Sequence, residues 1–139
     1  LYVSKAIIPG MIERNGGHII NISSIAGKEV YINGNVYCAS KHAVEAITKG
    51  MRLDLNKFGI KVTAISPGMV ETEFSLVRFK GDVKRAEKVY EGVEPLTAKD
   101  IAETILFTVT RPNHVVLSDI TILAAAQANA TIVNRKNLN

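Results

Sequence analysis

Two short β-rich runs, each closing on a chemically useful edge and separated by one long helical pattern, constrain this chain most. Gly17-His18-Ile19-Ile20-Asn21-Ile22 leads into Ser23-Ser24, and Lys61-Val62-Thr63-Ala64-Ile65-Ser66 leads into Pro67-Gly68. Between them the spacing predicts a helix over about 36–57, ending near Gly59, with Val44, Ile47, Met51 and Leu55 at helical intervals. Those four positions read as core or subunit packing. Strands alternating with helices imply an α/β fold with a parallel sheet. In such sheets ligands bind outside the carboxyl ends of the strands, which is where Ser24 and Pro67-Gly68 fall.

The helix between the runs opens with Tyr37-Cys38-Ala39-Ser40-Lys41. A tyrosine and a lysine four apart share one helix face, with Cβ atoms roughly 5–6 Å apart. A free phenol has a pKa of about 10, and lowering it by about two units takes roughly 2.7 kcal/mol of preferential phenolate stabilisation. A neighbouring cation is the usual source, and the product is a general acid/base for a hydroxyl or carbonyl oxygen. The pair alone is a common feature of solvated helix faces. Its place between two strand ends that carry Ser24 and Pro67-Gly68 gives it chemical meaning.

Asn21-Ile22-Ser23-Ser24, Tyr37-Cys38-Ala39-Ser40-Lys41 and Ser66-Pro67-Gly68-Met69-Val70-Glu71-Thr72, in this order and with thirteen residues from Ser24 to Tyr37, resemble the short-chain dehydrogenases/reductases over nearly the whole chain. Within that family, Thr72-Glu73-Phe74-Ser75-Leu76-Val77-Arg78-Phe79-Lys80-Gly81-Asp82 is most similar to the NADP-dependent 3-hydroxy acid (serine-type) dehydrogenases. The resemblance implies the carboxyl-terminal half of a doubly wound Rossmann fold. It further implies Tyr37 as proton donor or acceptor, Lys41 on the nicotinamide ribose, and Ser24 on the substrate oxygen. Pro67, Gly68, Val70 and Thr72 would form the cofactor loop, and Ser23 a strand-end hydroxyl bonding local backbone. Ser24, Tyr37 and the cations Arg78 and Lys80 are the substrate-side candidates, because arginine presents a fork matched to a carboxylate. The implied cofactor is NADP, with NAD possible.

Two other readings stay open. The substrate could be an uncharged or carrier-bound ketone, or the chain could be a non-catalytic relative used for binding or assembly. The family's glycine-rich phosphate fingerprint and its fourth catalytic residue, an asparagine, are not among these residues.

At 139 residues the chain is at most one domain. It begins at Leu1 within an apolar helical pattern, Leu1, Val3, Ile7, Ile8, Met11 and Ile12, and reads as the carboxyl-terminal half of a longer protein. A net charge of +4 without a basic cluster interleaved with aromatics gives nucleic-acid binding no support. The apolar runs are too short to span a bilayer. The lone Cys38 suits a reducing, cytoplasmic setting, and His18, His42 and His114 show no metal spacing. The expected partners are a small-molecule substrate and further copies of the complete protein, as a dimer or tetramer.

The remaining segments predict a helix over about 1–14, disturbed by Pro9, and a turn at Gly16-Gly17. A polar excursion over about 71–95, carrying one short helix near 83–90, reads as a substrate lid. Thr97-Ala98-Lys99-Asp100 resembles a capping box and starts a helix to about Thr110. A strand over about 119–123 precedes a loose tail after Gln127. Only three strands result, so one sheet edge is bare, and an exposed 18–22 strand invites aggregation. The isolated 139 residues are expected to be poorly soluble or inactive.

Overall fold

A computed structural model describes residues 1–136. Its sheet has three parallel strands, β1 (Gly17–Ile22), β2 (Ile60–Pro67) and β3 (Asp119–Ile122), in the order β1-β2-β3. Gly17 stands opposite Ile60 and Ile22 opposite Ile65, while Ala64 to Pro67 face Asp119 to Ile122. β2 is central and almost wholly buried, which explains why its sequence lacks a polar alternation. Among the described residues β1 pairs on one side only, and Ile22 is 44% exposed.

The helices are α1 (Tyr2–Glu13), α2 (Asn35–Leu55), α3 (Phe74–Arg78), α4 (Val83–Lys88) and α5 (Ala98–Val109). A 3₁₀ turn at Ile25–Gly27 follows β1, and another at Asn56–Phe58 closes α2. The capping box at Thr97 is formed, with Asp100 bonding back to the Thr97 backbone. Ile8, Met11 and Ile12 of α1 and Met51 of α2 pack with Phe58 against a core of Ile19, Leu55, Ile60 and Val62. Full burial of each such core side chain stabilises by about 1.5–3 kcal/mol.

The structure differs from expectation at four places. α1 runs through Pro9 without a break. An interior proline costs about 3 kcal/mol, and the packing of Ile8, Met11 and Ile12 offsets it. The excursion holds two short helices rather than one. The chain after Gln127 is not a loose tail: Gln127 bridges Val133, the Asn129 carboxamide accepts from the Thr131 and Ile132 amides, and Lys136 N donates to Gly92 O. Residues 137–139 lie outside the described residues. Finally, the sheet side of α2 is not simply apolar. Cys38, Glu45, Thr48 and Leu55 are its buried residues, whereas Val44, Ile47 and Met51 are half-buried.

That polar stripe is tied to the strands. Asn21 Nδ2 donates to Thr48 Oγ1 at 2.9 Å, and Arg52 Nε to Val62 O at 3.0 Å. Across the β1–β2 pair, His18 Nε2 and Thr63 Oγ1 share a hydrogen bond of 2.8 Å. Burial, and secondarily the Lys61 charge, holds the His18 imidazole below its ordinary value of 6.5. The fold therefore favours neutral His18, and this contribution to stability is full above the ordinary value and is lost as pH falls from there through the lowered folded-state value. The urea midpoint should fall from pH 7.5 to pH 5.5 by less in His18→Gln than in the parent protein. Equal slopes would remove His18 as the titrating group.

Candidate active site

Ser24, Tyr37, Lys41, Pro67, Gly68, Val70, Thr72 and Arg78 all line one cavity of about 660 Å³. It opens at the carboxyl ends of β1 and β2, and α3, Val89 and Tyr90, the start of α5 and the segment from Gln127 onward form its other walls.

Ser24 caps the 3₁₀ turn after β1 from an extended backbone. Its Oγ accepts from Ala26 N at 3.1 Å, so its own proton is free to point outward. That proton meets Pro67 O at 3.5 Å, long for a hydroxyl bond and easily exchanged for a ligand oxygen. Ser23 corrects the expectation. Its backbone N–H extends the ladder to Ile65 O, but its buried Oγ has no partner among the described residues. The hydroxyl points into the contact between the 3₁₀ turn and α2, where a Cβ on Gly27 would stand 2.7 Å from it.

Tyr37 and Lys41 occupy the first two turns of α2. Lys41 Nζ donates to Ile22 O at 3.2 Å and lies 5.8 Å from the centroid of the Tyr37 ring. Burial lowers the Lys41 pKa below the ordinary lysine value. The Tyr37 ring also meets Phe74 of α3, with centroids 5.5 Å apart. The excursion therefore bears directly on the tyrosine.

The loop after β2 is held from two directions that its own sequence does not reveal. Gln127 Oε1 accepts from Met69 N at 2.9 Å, while Tyr90 Oη donates to Val70 O at 2.9 Å and shares a 2.8 Å bond with Ser75 Oγ. Thr72 Oγ1 accepts from Phe74 N at 3.2 Å, starting α3. At the α3 wall the Arg78 guanidinium stacks over Tyr31 at 5.5 Å. Burial raises the Tyr31 pKa, and Arg78 opposes that shift. Lys80, the other cation proposed for a carboxylate, is exposed and lies outside the cavity lining. Arg135 reaches the lining but is engaged with Glu91 O and Val89 O. The histidines stay apart, His42 bonding Cys38 O on its own helix.

A serine, a tyrosine with a lysine one turn on, and a Pro-Gly loop thus line one cavity. The family described as short chain dehydrogenase matches residues 1–82. This chain belongs to the short-chain dehydrogenase family. An NADP-dependent 3-hydroxy acid dehydrogenase of Schizosaccharomyces pombe is 43% identical over 134 residues, which are 96% of this chain and 52% of that protein. A protein of the same name in Salmonella typhi is 45% identical over 131 residues, 94% of this chain and 53% of its own. A solved structure, the closed form of a serine dehydrogenase complexed with NADP⁺, superimposes with a TM-score of 0.90 at 42% identity, covering 98% of this chain and 55% of that one. The chain thus spans about half the length of the relatives it matches. Its parallel sheet and helices are those of the carboxyl-terminal half of the short-chain dehydrogenase Rossmann fold.

The motifs read in the sequence led to Ser24, Tyr37, Lys41 and the Pro67–Thr72 loop in the cavity lining, but not to the residues that support them. Tyr31, Tyr90 and Gln127 belong to no motif, and Gln127 is 58 residues from the amide that it holds. Two weak signals existed: a phenol in an otherwise charged excursion, and a lone glutamine among alanines after the last strand.

Proposed function

We propose that this chain provides the proton-handling half of an NADP-dependent oxidoreductase acting on the secondary hydroxyl of a 3-hydroxy acid. The observation that carries this reading is the convergence of Ser24, Tyr37, Lys41 and the Pro67–Thr72 loop on one cavity. The cavity fits a nicotinamide–ribose with a small acid, since its 660 Å³ lies within the span of about 300–1,000 Å³ usual for small-molecule sites. Held by Lys41 and the Pro67–Thr72 loop, a nicotinamide would supply the hydride acceptor for oxidation of the hydroxyl-bearing carbon and the hydride donor for the reverse reduction.

The residues divide the remaining work. Ser24 Oγ turns its proton from Pro67 O to the substrate oxygen and holds it against Tyr37. Tyr37 Oη receives the hydroxyl proton in oxidation and gives it back in reduction. Lys41 supplies positive charge beside the ring and, with the loop from Pro67 to Thr72, would hold the nicotinamide and its ribose. Arg78, steadied by Tyr31, would receive the substrate carboxylate. NADP, rather than NAD, follows the names of the relatives. A cytoplasmic homo-oligomer is the proposed form of the complete protein.

The test is turnover of free 3-hydroxy acids by the complete protein with each cofactor, together with Arg78→Leu. The variant should raise KM for a hydroxy acid by about 10-fold or more, the scale of one lost charge-assisted hydrogen bond, and should affect an uncharged secondary alcohol less. Equal effects on both substrates would eliminate the carboxylate role and favour an uncharged ketone.

A further inference from the structure

Glu45 is a buried carboxyl, 6% exposed, for which the proton-transfer scheme has no task. It lies one turn beyond Lys41 and two beyond Tyr37, on the side of α2 facing the sheet. Its Oε1 accepts from Ser66 Oγ at 2.7 Å. Ser66 is fully buried and immediately precedes Pro67, whose carbonyl meets the Ser24 hydroxyl. The third side of this junction is closed by Gly27. A Cβ there would come within 2.7 Å of Ser23 Oγ and 2.9 Å of both Glu45 Cγ and the Lys41 carbonyl oxygen. The strand end, the 3₁₀ turn behind Ser24 and the catalytic turns of α2 therefore meet around one carboxyl.

We propose that the Glu45–Ser66 hydrogen bond pins α2 against the carboxyl end of β2, making Glu45 a positioning residue for Tyr37 and Lys41. The proposal rests on the hydride-transfer reading of the site. Thr48 and Arg52 fasten the far half of α2 to the strands. Near its catalytic end, Lys41 and Glu45 make the described side-chain bonds to the strands, and Lys41 is needed for chemistry. Tyr37 is eleven residues from Thr48, about 16 Å along the axis at about 1.5 Å per residue. A tilt of about 4° about Thr48 would then move Tyr37 by about 1 Å, a misplacement that can cost about 10²-fold in rate.

The complete protein carries the test. Glu45→Ala should lower kcat by about 10–100-fold with KM within about threefold, whereas Glu45→Gln, whose amide oxygen still accepts from Ser66, should stay within about threefold of the parent. Competitive acetylation read by mass spectrometry supplies a measure independent of turnover. Lys41 should label several-fold faster in Glu45→Ala and unchanged in Glu45→Gln, with the exposed Lys49 as internal control. Should Glu45→Ala fail to fold, Ser66→Ala removes the same bond with the loss of one hydroxyl. Parental kcat or parental Lys41 labelling in a folded Glu45→Ala or Ser66→Ala protein overturns the pin, as does a Glu45→Gln loss equal to that of Ala. A parent protein without dehydrogenase turnover would sink the hydride-transfer reading instead, and the Lys41 labelling would still decide whether Glu45 holds the helix.

Discussion

Replacing Tyr37 by Phe in the complete protein is expected to lower kcat/KM by about 10²–10⁴, the usual contribution of a positioned general acid/base. The substitution removes one oxygen and keeps the ring, so the 5.5 Å packing against Phe74 survives. Lys41 keeps its bond to Ile22 O and its place at the cavity. Cofactor affinity should therefore stay within about threefold, since proton transfer and not ground-state binding is lost. Steady-state kinetics beside a direct titration of NADP binding separates the two. Undiminished turnover would remove Tyr37 from the mechanism, and the binding or assembly reading of the chain would gain accordingly.

Gly68→Ala is expected to be the most damaging single-methyl change in the loop. The added Cβ would stand 2.1 Å from Gln127 Oε1 and 2.8 Å from Leu123 Cδ2, separations that real atoms do not occupy. Gln127 is 7% exposed, so it has little room to retreat. Moving it breaks the bond to Met69 N and leaves a partly buried amide without its acceptor. Overpacking and the orphaned donor each cost about 1–3 kcal/mol. The unfolding midpoint should fall and turnover with it, because the displaced amide lies next to Pro67-Gly68 in the cavity wall. Gln127→Ala by itself should also destabilise. Combined with Gly68→Ala it should cost less than the sum, by a coupling of about 0.5–3 kcal/mol typical of residues in contact. Strict additivity in denaturation measurements would show that Gln127 is not what Gly68 accommodates.

Much of the fold was legible because its signals are local. The β-rich runs, the apolar spacing of α2 and the capping box at Thr97 each report a period or a terminus that neighbouring residues set by themselves. Boundaries followed within a residue or two, except where tertiary contacts extend or override a local preference. α1 continues through Pro9 because three side chains find a core. The segment after Gln127 is composed like a loose tail, yet Asn129, Gln127 and Arg135 each bond backbone that the sequence cannot bring near.

The polar stripe of α2 shows a different limit. Cys38, Lys41, Glu45, Thr48 and Arg52 repeat at helical spacing as regularly as Val44, Ile47 and Met51 do. Hydrophobicity alone selects the apolar stripe, of which Met51 does pack on the core, and misses the polar one that holds the buried Cys38, Glu45 and Thr48. Buried polar groups are acceptable only with partners, and those partners, Asn21, Ser66 and the Val62 carbonyl, sit on strands 10–27 residues away.

By itself the sequence determined an α/β chain with a parallel sheet, and a serine, a tyrosine–lysine pair and a Pro-Gly loop at the strand ends. Those follow from residue type, period and spacing, which are properties of short stretches. The tertiary structure alone decided that these groups share one cavity with Arg78 and Tyr31, and that Lys80 stays outside it. It also decided that Gln127 and Tyr90 bond the loop and that Glu45, on the helix bearing the tyrosine, accepts from Ser66. Each of those depends on contacts between residues distant in sequence, and such contacts exist only once the chain has folded.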